Sequence, residues 1–297
     1  METEIKRQLP GTLQKLVDEI ETHGHQEILL KFDPNLSCAA SARCLYGNCG
    51  QPGATSPDSL QMVLTFGKDI AATTNVYQEP FAVVCHELGH LRRWIVDGVP
   101  GLYRIEGLPE SSIDPDEDPI KRLFTTSGID EQIEHCAIDG ALPKYGFDVP
   151  RTSFQALWDS FPSPPWESLT SMKWVLLQEW IRTEILTQDT HLQQHAEGIM
   201  RRFGVFDQAK HLTDSFKVLL TSPDKMNAKF GMLLLLGIAF RIPLHLFWFI
   251  DRRPGILEIR QIPTAFEVRT NKGTQVFTYQ LPQQPQQISE GETPCLS

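Results

Sequence analysis

Residues 80–98, PFAVVCHELGHLRRWIVDG, constrain the fold more than any other stretch. Pro80 suits the first turn of a helix and Gly98 its end. Between them Phe81, Val83, Val84, Leu88, Leu91 and Trp94 are apolar, while His86, Glu87 and His90 are polar. Such a helix must bury its apolar residues in a core and open its polar residues to a cleft. Residues four apart on a helix share a face, one turn above the other. His86 and His90 can therefore aim two imidazoles at one point.

Two imidazoles converging from one helical turn are a natural half-site for zinc, which is commonly held tetrahedrally. Glu87 follows His86 and is rotated by roughly 100° around the helix. It sits beside the site on a different bearing, where it can take a proton from a zinc-bound water. Gly89 leaves space beside the pair, in which a substrate or a neighbouring strand could approach.

The segment VVCHELGHL resembles the signature of the zincin metallopeptidases: apolar residues, one variable position, HExxH, then an apolar residue. Arg92 departs from that pattern, which usually continues apolar, and implies that the C-terminal half of the helix has an exposed side. The resemblance implies a zinc-dependent peptidase with His86 and His90 as metal ligands and Glu87 as general base. A catalytic zinc needs a third protein ligand and one open position. The continuation LRRWIVDG contains no histidine, which excludes the metzincin subclass. Gluzincins draw a glutamate from a second helix downstream, and SGIDEQIEHCAIDG (127–140) is the best source. The Asp130–Glu131 pair resembles the gluzincin Asn-Glu pair, so Glu131 is the expected third ligand, with Glu134 and then His135 as alternatives. Gluzincins also place an Asp four residues after the third ligand to support a ligand histidine; counted from Glu131, that position is His135. Candidate stabilisers of an oxyanion are Tyr103, Tyr145, His135, His191 and His195.

The expected class is α+β: a zincin-like core with a small β-sheet and the histidine helix (residues 1–150), a mostly helical region packing on it (151–255), and a β-hairpin with a disordered tail (256–297). Strands are expected at 27–34 and 61–67, and a long loop over 35–58. An acidic, proline-rich loop is expected over 99–119, and a mixed connector over 150–171. Helices follow over 171–203, as one or two pieces, and over 205–222. The apolar run 231–250 has the length of a membrane span, but Arg241, Pro243 and His245 interrupt it, so it reads as a buried helix, a break and a second apolar segment. Strands with an NKG turn are expected over 257–281.

A net charge of −10 disfavours nucleic acid and anionic lipid as partners. The expected partner is a protein or peptide substrate, with no nucleic acid and no membrane. The N-terminal stretch METEIKRQLPGTLQKLVDEI has no apolar signal region and reads as an amphipathic helix, so a cytoplasmic, reducing setting is expected. Cys38, Cys44 and Cys49 lack the short spacing of zinc knuckles and read as loop cysteines. HLQQH (191–195) repeats the histidine spacing without a glutamate and reads as a solvated helix surface.

Overall fold

The computed structural model describes residues 9–36, 40–45, 61–67, 80–105, 126–147, 151–161, 169–239, 242, 247–250, 256–262, 265–270 and 273–278. Helix α1 (Gly11–Gly24) buries Leu13, Leu16, Val17 and Ile20, a 3-4 spacing that makes one apolar stripe. It is followed by β1 (Leu29–Asp33), β2 (Ala40–Leu45) and β3 (Gln61–Gly67), which form a sheet in the order β1-β3-β2. β1 runs parallel to β3, and β2 runs antiparallel to it with Ala42 opposite Leu64. Helix α2 (Pro80–Ile95) carries the histidine pair and packs against α1 and β2. Its Val84, Leu88 and Leu91 are fully buried with Leu13, Met62 and Leu64 in one core cluster. Burial of each such leucine contributes about 1.5–3 kcal/mol, so the helix is anchored through its apolar face.

The helices that follow build mainly on a second core, while the 3-10 turn between them returns to the first through Leu142 and Tyr145. Strand β4 (Gly101–Ile105) and helix α3 (Thr126–Asp139) come first, then a 3-10 turn (Leu142–Tyr145). Helices α4 (Arg151–Ser160), α5 (Leu169–Leu186), α6 (Thr190–Arg202), α7 (Phe206–Leu220) and α8 (Lys225–Ala239) follow. Strands β5 (Phe247–Ile250), β6 (Ile256–Ile262), β7 (Ala265–Thr270) and β8 (Gly273–Thr278) complete an antiparallel sheet ordered β4-β5-β6-β7-β8. The second cluster runs from Leu102 and Ile105 in β4 through Ile129 and Ile133 in α3 to Phe247 and Phe249 in β5.

Four expectations change, and the choice between one and two helices over 171–203 resolves. β2 lies inside the expected 35–58 loop, and β4 inside the expected 99–119 loop. Both are short strands whose pairing partners are distant in sequence, so local composition hides them. The expected connector contains α4, tied to α5 by Trp158 Nε1, which donates to buried Thr183 Oγ1 at 2.9 Å. The run 171–203 is two helices, because Asp189 caps α6 by accepting from the His191 and Leu192 amides. The C-terminal hairpin strands belong to the five-stranded sheet. Helix α8 is buried along 228–237, and no described helix is long and apolar enough to cross a membrane. Pro243, Asn271 and Lys272 of the NKG turn, Cys38, Cys49, the 109–119 stretch and the tail lie outside the described residues.

Candidate metal centre

α2 and α3 pack directly against each other, and Gly89 sets how closely. A Cβ at this position would lie 2.7 Å from Ile138 Cγ2, well inside contact distance. The neighbour that approaches at Gly89 is thus the helix α3, through Ile138, and not a strand. This close approach carries His135 to the pair. The ring centroids stand 5.0 Å apart for His86 and His90, 4.7 Å for His86 and His135, and 5.5 Å for His90 and His135. One potential ligand atom from each of the three rings falls within 4.8 Å of the others, so the trio could hold a metal ion.

His86 is buried, and its Nδ1 lies 2.7 Å from Asp139 Oδ1. A carboxylate only accepts, so Nδ1 carries the hydrogen and Nε2 the lone pair that a metal takes. Arg182 stands 3.9 Å from the other Asp139 oxygen. Burial pulls the His86 imidazolium down, but the Asp139 hydrogen bond and charge outweigh it and raise its pKa. His90 is different. Burial, reinforced by the nearby His86 charge, lowers it to about 3, so this ring is neutral at physiological pH. Its Nδ1 is buried without a hydrogen-bond partner, a costly state for a polar group. Metal coordination requires neutral imidazoles; His90 is neutral, and an ion in the trio would take the place of the proton on His86 Nε2 while Nδ1–H stays on Asp139.

Glu87 is half-buried beside the trio, and its Oε2 accepts from the Ala42 amide of β2 at 2.6 Å. Burial raises its carboxyl pKa; the His86 charge and the Ala42 amide pull the other way, and the nearby Glu131 charge adds to the rise. A carboxylate with a raised pKa, fixed at one oxygen by a backbone donor, has the character of a proton acceptor.

The residues expected on α3 separate by role. Glu131 is not in the trio; it lies one turn before His135 and near enough to Glu87 to act on it electrostatically. Glu134 is buried and turned to cations. Arg93 Nε donates to it at 2.8 Å, and Lys229 Nζ lies 2.9 Å away. These charges outweigh its burial and hold its pKa well below the usual carboxylate range. Lys229 also pairs with Asp130. Arg92 does not mark an open helix face: it forks onto Glu19 of α1 at 3.1 and 3.0 Å and reaches Asp97 at 2.8 Å, while Arg93 beside it is buried.

Of the oxyanion candidates, only His135 is at the site among residues whose side chains are described. Tyr145 packs with the α1–α2 core. His191 is exposed, and His195 is exposed and pairs with Asp159. The side chain of Tyr103 lies outside the described set. Cys85 and Cys136, next to His86 and His135, are buried free thiols whose pKa burial pushes up to about 12, so both stay protonated.

Asp139 and Ala42 are the site residues that sequence reasoning missed. Asp139 had a signal: it stands four residues after His135, the spacing at which a supporting Asp follows the third ligand in gluzincins. Counting from Glu131 hid it. The Ala42 amide had none, since a backbone donor leaves no trace in residue type. The chain matches no protein-family model, no curated protein and no solved structure.

Proposed function

We propose that this chain is a zinc-dependent hydrolase that cleaves peptide bonds, with His86, His90 and His135 as the metal ligands and Glu87 as the general base. His135 is preferred to Glu131 because its ring is grouped with the other two and because Asp139 follows it by one turn and supports His86. The observation that carries the reading is the placement of Glu87 beside three convergent imidazoles, held by the Ala42 amide.

His86, His90 and His135 would hold the zinc ion, which when bound would supply the Lewis acidity that makes water a nucleophile near neutral pH. Asp139 fixes the His86 ring and its tautomer. Glu87 takes the proton of the attacking water and delivers it to the amine as the C–N bond breaks. The Ala42 amide keeps one Glu87 oxygen in place while the other moves the proton. A peptide substrate is favoured over a small amide because β2, which touches Glu87, is an edge among the described strands of its sheet, and an extended chain can add to a strand edge.

The test is Glu87→Gln. It should retain about one zinc per chain and lose peptide hydrolysis by at least about 100-fold, the range of a lost general base. Equal peptide cleavage by wild type and variant, or none by zinc-loaded wild type across a peptide library, would reject the catalytic reading.

A further inference from the structure

A cavity of about 470 Å³ lies behind the ligand helices, between α2, the end of α3, the 3-10 turn and the α7–α8 junction. None of His86, Glu87, His90 or His135 lines it. Its volume falls in the range of small-molecule sites. The walls are apolar where Ile138, Leu142, Ile185, Leu220 and Met232 meet, and the thiols of Cys85 and Cys136 join them.

The charged part of the lining is mostly cationic. Arg92, Arg93, Lys144 and Lys225 contribute cations, and Asp97 is the one carboxylate among the lining residues. Arg92 and Arg93 are answered by Glu19, Asp97 and Glu134. Lys144 and Lys225 form no ion pair with a carboxylate among the described residues. Lys225 Nζ instead donates to the Leu220 and Ser222 carbonyls at 3.2 and 2.6 Å. These two charges stand at an apolar hollow in a chain of net charge −10, where the average field would repel an anion. A ligand that satisfies both features has an anionic head for the lysines and an apolar body for the walls.

We propose that this cavity is a binding site for an amphipathic organic anion, a carboxylate bearing an alkyl chain. The carboxylate lies between Lys144 and Lys225, and the chain runs along Ile138, Leu142 and Met232. The site is separate from the metal centre, so binding needs no metal.

Calorimetry on the metal-free full chain tests this, with decanoate as probe and decyltrimethylammonium as the opposite-charge control, both below their micelle concentrations. Decanoate should bind saturably at one per chain, and the cation should not. Lys144→Glu, at an exposed position, should weaken decanoate about tenfold. Ala228→Phe, which fills the cavity from α8, should abolish binding; a retained melting transition confirms that this variant folds. Lack of saturable decanoate binding, equal binding of the cation, or unchanged affinity in Lys144→Glu would overturn the proposal.

Discussion

Asp139 and Glu134 stand five residues apart on α3, both buried, and they do different work. Asp139 holds the His86 ring from behind; Glu134 anchors the helix to two cations. Their substitutions should therefore separate cleanly. Asp139→Asn keeps the shape but weakens the acceptor, and zinc affinity should fall about 10- to 100-fold with little loss of fold, as competition with a chelator would read. An affinity equal to wild type would remove Asp139 from the metal site. Glu134→Ala leaves Arg93 and Lys229 facing an empty place, and should destabilise the fold by about 3–5 kcal/mol. At this scale the sequence revealed His86, Glu87 and His90 through residue type and spacing. It did not choose among Glu131, Glu134 and His135, because three acidic or basic side chains on adjacent turns differ only in what the neighbouring elements place against them.

At the scale of elements, the site is a contact between two helices and a strand. Gly89 allows the first part of it. Gly89→Ala gains about 0.8–1 kcal/mol of helix propensity, but it drives a methyl into the stiff β-branched Ile138, and overpacking costs about 1–3 kcal/mol. The net expectation is a loss of stability together with weakened zinc binding as α3 is pushed away. Adding Ile138→Ala should restore much of the zinc affinity, and a double-mutant cycle would show the coupling. Additive effects would mean that Gly89 does not set the helix spacing. Long helices were legible because their apolar period is internal to the element. β2 was not, because its reason to exist is its register on β3 and its amide on Glu87.

Across the molecule, the two helices that carry the histidine trio join two cores. α2 belongs to the cluster with α1 and β3, and α3 contributes Ile129, Ile133 and Cys136 to the helical one. Fully buried Lys229 links α8 to α3 through Asp130 and Glu134, and Glu134 continues to Arg93 on α2. Lys229→Met should cost about 3–5 kcal/mol, because it strands one carboxylate and weakens the other; urea denaturation measures it, and an unchanged midpoint would show the network to be idle. The class α+β and the run of helices could be anticipated from periodicity. The five-stranded sheet could not, since β4 and β5 pair across the 141 positions from 106 to 246, of which no local pattern gives notice.

Zinc K-edge X-ray absorption on the zinc-loaded chain, compared with its His135→Ala and Glu131→Ala variants, addresses the trio most directly. Three imidazole nitrogens at about 2.0–2.1 Å are expected in the wild type, with one lost in His135→Ala and none in Glu131→Ala. A spectrum with two imidazoles that is unchanged by His135→Ala and altered by Glu131→Ala would contradict the assignment.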